Sequence, residues 1–293
     1  MSITKTLEKT KPLVSWLGSV YRNSKLSEVE GCLSSILNQD TNFSQEIILV
    51  IDGPISLSLS EFLVCFQSSS TIPLTIKTIS TNVGLAEALN FGLLHCNAPY
   101  IARFDTDDLS DSLRITTQLN YLLQDQSISV LGSSCYEFVS SRSSESLASI
   151  RLAYPTPKLS FFLNVLNPIF HPTVVCKTSD LKFVGGYPNV RYFEDYALWL
   201  SMRSAGFQFA TIKQPLVYMR CDNILDRRTS FAYARYELSF LRWAIFDRQL
   251  INPLFLPFWI LKIFSRIIPF KGLQKLVRRR SSRSLITNPD MLV

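Results

Sequence analysis

Apolar and polar residues alternate along the first 125 positions in two rhythms. Short apolar runs at Leu13 to Val20, Glu46 to Ile51, Leu74 to Ile79 and Tyr100 to Phe104 have the length and continuity of buried strands. Between them the period becomes helical. From Ser27, the segment SEVEGCLSSIL sets Val29, Leu33, Ile36 and Leu37 on one face, and Ser27 with Glu30 has the spacing of a capping box. LAEALNFGLL after Asn82-Val83-Gly84, and DSLRITTQLNYLL from Asp111 to Leu123, read as further helices. Strand and helix in alternation predict an α/β fold with a mostly parallel sheet and helices on both faces.

Beyond Val130 the rhythm breaks into a strand near SVLGSSCYEF, a serine-rich loop from Ser140 to Ser146, and mixed short elements. The segment EDYALWLSMRSAG reads as a helix stopped by Gly206, with Trp199 in its core-facing pattern. From Ile251 to Phe270 the chain is apolar and aromatic but is broken by Pro253, Pro257, Lys262, Arg266 and Pro269, so it suits lying on a membrane better than crossing one. Lys262 and Arg266 share one helical face, while Ile260, Ile263, Phe264 and Ile267 fall on others. That arrangement predicts an interfacial helix with Phe258 and Trp259 at headgroup depth and an anionic membrane surface as partner. A C-terminal helix packed on the chain's own core, with a solvated basic end, would leave the same pattern.

Composition changes the picture in two places. The net charge of +7 resembles a nucleic-acid footprint until it is located. Eight of the 30 basic residues lie between Lys262 and Arg283 with no acid among them, so the remaining 22 are matched by 23 acids. The body is neutral and nucleic acid is not an expected partner. The six cysteines are scattered, with no paired spacing and no histidine nearby, and read as small buried hydrophobes in a reducing compartment. Residues 1–12 contain lysines but no apolar run of signal-peptide length, which points to a cytoplasmic location, peripheral to the inner face of the membrane if the tail anchors there.

In an open parallel sheet, ligands bind beyond the carboxyl ends of the strands, and there this sequence turns polar: Ser19-Val20-Tyr21, Asp52-Gly53, Asn82-Val83-Gly84 and Asp105-Thr106-Asp107-Asp108. Asp105 and Asp107, two apart, face one site if the chain stays extended, and such carboxylates suit Mg²⁺ or Mn²⁺, which complete their shells with phosphate and water. Equally, they could merely cap the helix that starts near Asp111. Asp52 reads as a turn residue before Gly53 or as an acceptor for a base or ribose, and Asn82 with Gly84 as a tight turn or a backbone surface beside a nucleotide. Glu194 and Asp195 suit a helix N-terminus through its dipole, while a carboxylate opposite a metal also suits a general base. Of the two histidines, His95 reads as structural. His171, in a loop fixed by Asn167, Pro168 and Pro172, is open between a core hydrogen bond and an active-site role.

Taken together and in order, SVYRN, LVIDGP, NVGLAEALNFGLLHC, YIARFDTDD, GSSCYEF, NPIFHPTVV, GGYPNVRYFEDYALW and LVYMR resemble glycosyltransferase family 2, from about Leu13 to Arg228, with most likeness to bacterial exopolysaccharide and lipopolysaccharide enzymes. The resemblance implies the GT-A fold, with a domain over 13–228 divided into a nucleotide-sugar half (13–125) and an acceptor half (126–228), an N-terminal extension (1–12) and a helical, basic, amphipathic C-terminal region (229–293). It implies transfer with inversion from a nucleotide-diphosphate sugar, a UDP-sugar being favoured, to a saccharide or lipid-linked saccharide. It further implies that Ser19 and Tyr21 line the nucleotide pocket, Asp52 holds the base, Asn82 and Arg103 lie beside the donor, Asp105 and Asp107 contact ribose and metal, and Asp195 is the catalytic base. Ile51 stands where many members have an acid, and Tyr218-Met219-Arg220-Cys221-Asp222 lacks the histidine that many carry near the diphosphate; Arg220, Arg227 and Arg228 offer charge instead. A nucleotidyltransferase would need a glycine-rich loop after the first strand, which SVYRNSK lacks. A non-catalytic assembly protein on this fold is disfavoured by the intact D-x-D pair and Glu-Asp element.

Overall fold

A computed structural model describes residues 11–138, 148–222, 231–267 and 282–286. In chain order the first half runs β1 (Val14–Tyr21), α1 (Leu26–Leu37), β2 (Gln45–Asp52), α2 (Leu57–Ser69), β3 (Leu74–Ile79), α3 (Leu85–Leu93), β4 (Tyr100–Arg103), β5 (Leu109–Ser110) and α4 (Arg114–Gln124). The second runs β6 (Ile128–Phe138), β7 (Ala148–Arg151), α5 (Leu159–Phe162), β8 (Val175–Lys177), α6 (Thr178–Phe183), α7 (Glu194–Ser204), β9 (Gln208–Arg220), α8 (Phe231–Leu241), α9 (Leu256–Ile267) and β10 (Ser282–Ile286).

These strands form one sheet in the order β10-β7-β6-β8-β4-β1-β2-β3, with β9 bonded to β6 and β5. β3, β2, β1 and β4 are parallel neighbours, as the alternating sequence requires. From β8 onward the sheet is mixed, because the chain returns through short connections: β8 is antiparallel to β4 and β6, and β7 to β6, while β9 runs parallel to β6. The change of rhythm after Val130 marks that switch.

Strand alternation divides the core between the two faces. Leu17, Ile48, Ile101 and Val130 pack under α3, α6, α7 and the C-terminal helices. Trp16, Ile47, Leu49, Ala102 and Leu131 pack under α1, α2 and α4. Gly206, at φ +84°, ends α7 as expected. The capping box does not form. α1 begins at Leu26 with Lys25 as its cap and no side-chain cap bond, so Ser27 lies inside the first turn, where its hydroxyl has no cap position to fill. Cys65 is exposed, unlike the four cysteines that meet the expectation of burial, and all six are free thiols.

The C-terminal region corrects one expectation. Trp259 is fully buried, donates Nε1–H to the Asn164 carbonyl at 2.8 Å, and packs against Tyr196 and Phe240. It cannot sit at headgroup depth; it is part of the core, and its truncation would cost about 3–5 kcal/mol. Lys262 also turns inward, to an ion pair with the buried Glu237 at 3.1 Å and over the Trp259 ring. No helix among the described residues is long and apolar enough to cross a membrane. The serine-rich stretch at Ser140 to Ser146, Arg227, Arg228, and the basic residues from Lys271 to Arg280 lie outside the described residues.

Candidate active site

The ends of the parallel strands meet as the sequence predicts, but each side chain has a definite task there. β1 lies between β4 and β2, which places Ser19 and Tyr21 in the middle of the row of parallel strand ends: the Ser19 carbonyl accepts from Thr106 Oγ1 at 3.3 Å, and Tyr21 is exposed. Asp52 is buried. Its carboxylate accepts from Asn82 Nδ2 at 2.8 Å, Val83 N–H at 2.7 Å and Gly84 N–H at 3.0 Å. Three donors tie the turn after β3 to the end of β2, so the turn reading of Asp52 and of Asn82 is the one seen. Gly53 is obligatory in this arrangement. Its φ is +78°, and a Cβ there would come within 2.7 Å of the Asn82 backbone nitrogen.

The D-x-D segment is a turn, not an extended strand. Asp108 N–H donates to the Asp105 carbonyl at 3.1 Å, so alternation along a strand is not what aligns the aspartates. The turn brings Asp105 close enough to Asp107 to raise its pKa. Burial, and then the Asp105 charge, push Asp107 up to about 6. Neither residue caps α4, which begins at Arg114 after the intervening β5. Asp108, the third acid of the segment, is buried and accepts from Arg220 N–H at 2.7 Å, pinning the end of β9 against the turn. Arg220 then donates Nε–H to the Asp107 carbonyl at 3.1 Å, lies over the Phe138 ring, and reaches Glu28 and Asp222 at 3.6 Å each.

Arg103 lies beneath this turn. Its side chain is 2% exposed against 34% for Asp105, and it donates Nη2–H to Asp105 Oδ1 and Nη1–H to the Phe104 carbonyl, while Nε finds no partner. Its carbonyl is held by Arg114 Nη2–H at 2.7 Å. The structure therefore makes Arg103 a positioning residue for Asp105. Its guanidinium also bears on His171, which is buried, shares a 3.1 Å hydrogen bond with the Tyr187 hydroxyl, and has its pKa pulled well below the ordinary value by burial and then by Arg103. Of the two readings left open for His171, the core hydrogen bond is the one seen.

Asp195 opens α7. Asn167 Nδ2–H donates to its Oδ2 at 2.6 Å, and Tyr196 N–H to its Oδ1 at 2.8 Å. Burial raises the pKa of the Tyr187 hydroxyl; Arg103 works against this, and the more weakly acting charges of Asp195 and Asp105 add to it. Asn167, Asp108 and Glu28 were not singled out as site residues from sequence. Asp108 carried a signal, a third acid immediately before an apolar residue, whereas Asn167 and Glu28 carried none, being remote in the chain from what they touch.

A family model described as "Glycosyl transferase family 2" matches residues 19–179. Over 268 residues the chain is 30% identical to the amylovoran biosynthesis glycosyltransferase AmsE of Erwinia amylovora, covering 91% of this chain and 98% of that protein. The chain belongs to glycosyl transferase family 2. Another relative is the UDP-Gal:alpha-D-GlcNAc-diphosphoundecaprenol beta-1,3-galactosyltransferase of Escherichia coli, 28% identical over 281 residues, with 92% and 98% covered. Among solved structures, the mannosyltransferase PcManGT from Pyrobaculum calidifontis, in complex with GDP-Man and Mn²⁺, superposes with TM-score 0.59 at 18% identity, covering 87% of this chain and 70% of that one. S. aureus TarS in complex with UDP-GlcNAc does so with TM-score 0.56 at 14% identity, covering 87% and 81%. The fold of this family 2 protein is therefore of the GT-A type, and the strand ends and the Asp195 region lie within a glycosyltransferase.

The donor set fits a divalent cation. Asp105 and Asp107 offer hard oxygen donors, and the pKa of Asp107, raised first by burial and then by the Asp105 charge, marks a place where a cation would be favoured. Among the described residues, no three histidine, cysteine or acidic side chains converge as a cation cage. A cation here would take most of its ligands from phosphate and water.

Proposed function

We propose that this glycosyltransferase moves a sugar, with inversion, from a nucleotide-diphosphate donor to a hydroxyl of a saccharide or lipid-linked saccharide in polysaccharide synthesis. The observation that carries the reading is the turn at the end of β4, where Asp105 lies close enough to act on the buried Asp107 carboxyl and so suits a cation-bound diphosphate; Asp195, aimed by Asn167, supplies the second carboxylate. Ser19, Tyr21 and the Asp52–Asn82 turn form the nucleoside side. Mg²⁺ or Mn²⁺, held by Asp105 and Asp107, would supply charge that offsets the departing diphosphate. Arg103 keeps Asp105 in place, and Arg220, fixed above the turn, adds positive charge on the leaving-group side.

At the other end Asp195 takes the proton of the acceptor hydroxyl as its oxygen bonds to the anomeric carbon and the bond from that carbon to the diphosphate oxygen breaks. Asn167 Nδ2–H and the Tyr196 amide aim the carboxylate. A UDP-sugar donor and a diphospholipid-linked acceptor are supported by the name of the Escherichia coli relative. A screen of UDP-, GDP- and dTDP-sugars for protection against thermal unfolding, with Mn²⁺ and with EDTA, tests the reading, because a bound donor raises stability by mass action. Protection by one sugar nucleotide that disappears with EDTA is expected. Equal protection in EDTA would remove the cation from the mechanism, and protection by none would refute the donor assignment.

A further inference from the structure

Inward anchoring of Trp259 and Lys262 leaves the opposite face of α9 uncovered. Leu254, Pro257, Ile260, Leu261 and Phe264 line a shallow apolar groove, with Leu254 84% and Leu261 67% exposed. Their spacing of three and four residues makes them one stripe, and it contains no charged or hydrogen-bonding side chain. The surface continues onto α5, where the exposed Phe161 packs edge-on against Phe255. Exposed apolar stripes of this continuity mark interaction sites on proteins otherwise able to bury such residues.

We infer that this stripe is a membrane-docking surface whose occupant is an anionic lipid bilayer. Charge decides the occupant. Lys262 is already paired with Glu237, but six further basic residues, from Lys271 to Arg283, come after the helix in the chain with no acid among them. An anionic surface complements them, and each basic residue near it adds attraction that salt screens. Two copies of this chain carry the same charge in that segment and gain no such attraction from each other.

The placement also suits the site. Trp259 is bonded to the carbonyl of Asn164, three residues before Asn167, which holds Asp195, and it packs on Tyr196, the next residue of α7. The face that meets lipid is thereby fixed rigidly to the element carrying the proposed base, so an acceptor sugar on a lipid carrier would be presented from the bilayer on that side. This last step rests on the transferase reading; the docking does not.

The test uses the full chain with phosphatidylcholine vesicles, with and without phosphatidylglycerol, at low and high salt. A Leu261→Glu/Phe264→Glu double variant changes only exposed positions and should fold as the parent does, which circular dichroism checks. Co-sedimentation with the anionic vesicles, weakened by salt and reduced about tenfold or more in the variant, is expected. No vesicle binding by the parent, equal binding by the variant, or a dimer in sedimentation velocity that the variant abolishes would each overturn the proposal, the last in favour of a second copy. Turnover with a soluble acceptor, unchanged in the variant, is read separately. Its absence in both proteins, with vesicle binding intact, would count against the transferase reading alone.

Discussion

The two ends of the candidate site are built from opposite materials. At the D-x-D turn, charges answer charges: Arg103 holds Asp105 from below, Arg220 crosses the turn from β9, and Asp107 carries a proton affinity raised by burial and by its neighbour. At α7, Asp195 is held by an amide side chain and a backbone N–H, in front of an aromatic wall of Tyr196, Phe240 and Trp259. In the proposed reading a cation and a diphosphate would offset the crowding of carboxylates in the first arrangement, and the second would orient a carboxylate for proton acceptance.

Substitution at Asp195 tests the acceptor end most severely. Asp195→Asn should lower turnover about 10²–10⁴-fold while leaving donor affinity in calorimetry unchanged, because a base acts only in the transition state. Undiminished turnover would mean the proton leaves by another route and would dissolve the contrast between the ends.

Asp107→Asn should show the opposite character. Donor affinity in Mn²⁺ is expected to fall by roughly 10–100-fold and to become insensitive to EDTA, while the ligand-free protein becomes more stable. The sign follows from the raised pKa. The folded state binds the Asp107 proton more tightly than the unfolded chain, so this residue costs stability progressively as pH rises from about 4 to about 6, and the full cost, at most about 3 kcal/mol, applies above that. Thermal unfolding at pH 7.5 and pH 4 checks this: the variant should gain at the higher pH and not at the lower. A loss at both would show Asp107 to be structural.

Asn167→Ala sharpens the comparison at smaller scale. Removing one hydrogen bond to a charged group costs about 1.5–3 kcal/mol, which predicts a fall in kcat of about tenfold or more with donor KM unmoved. A change in KM alone would place Asn167 with substrate binding. The smallest effect concerns the buried His171, bonded to Tyr187. His171 stays neutral in the fold while the unfolded chain protonates below about pH 6.5, so stability should decline by about 1 kcal/mol from pH 6.5 to 5.5 and the decline should shrink in His171→Gln. An identical decline in the variant would assign the pH dependence elsewhere.

Strands, helices and the four polar strand ends were legible because each depends on local periodicity, and burial of a parallel strand on both faces leaves a continuous apolar run. The family motifs located Asp105, Asp107 and Asp195 by type and order. What sequence alone left open was every feature that depends on a distant partner. Asp52 becomes the clasp of the Asn82 turn only because β2 and β3 are neighbours. His171 becomes a buried hydrogen-bonding residue because Tyr187 reaches it. The tail shows the limit most clearly: sequence determined an apolar stretch from Ile251 to Phe270 with amphipathic helical spacing and few charges, but hydrophobicity is non-directional, so only packing against Tyr196, Phe240 and Asn164 decided that Trp259 faces inward and Leu261 outward.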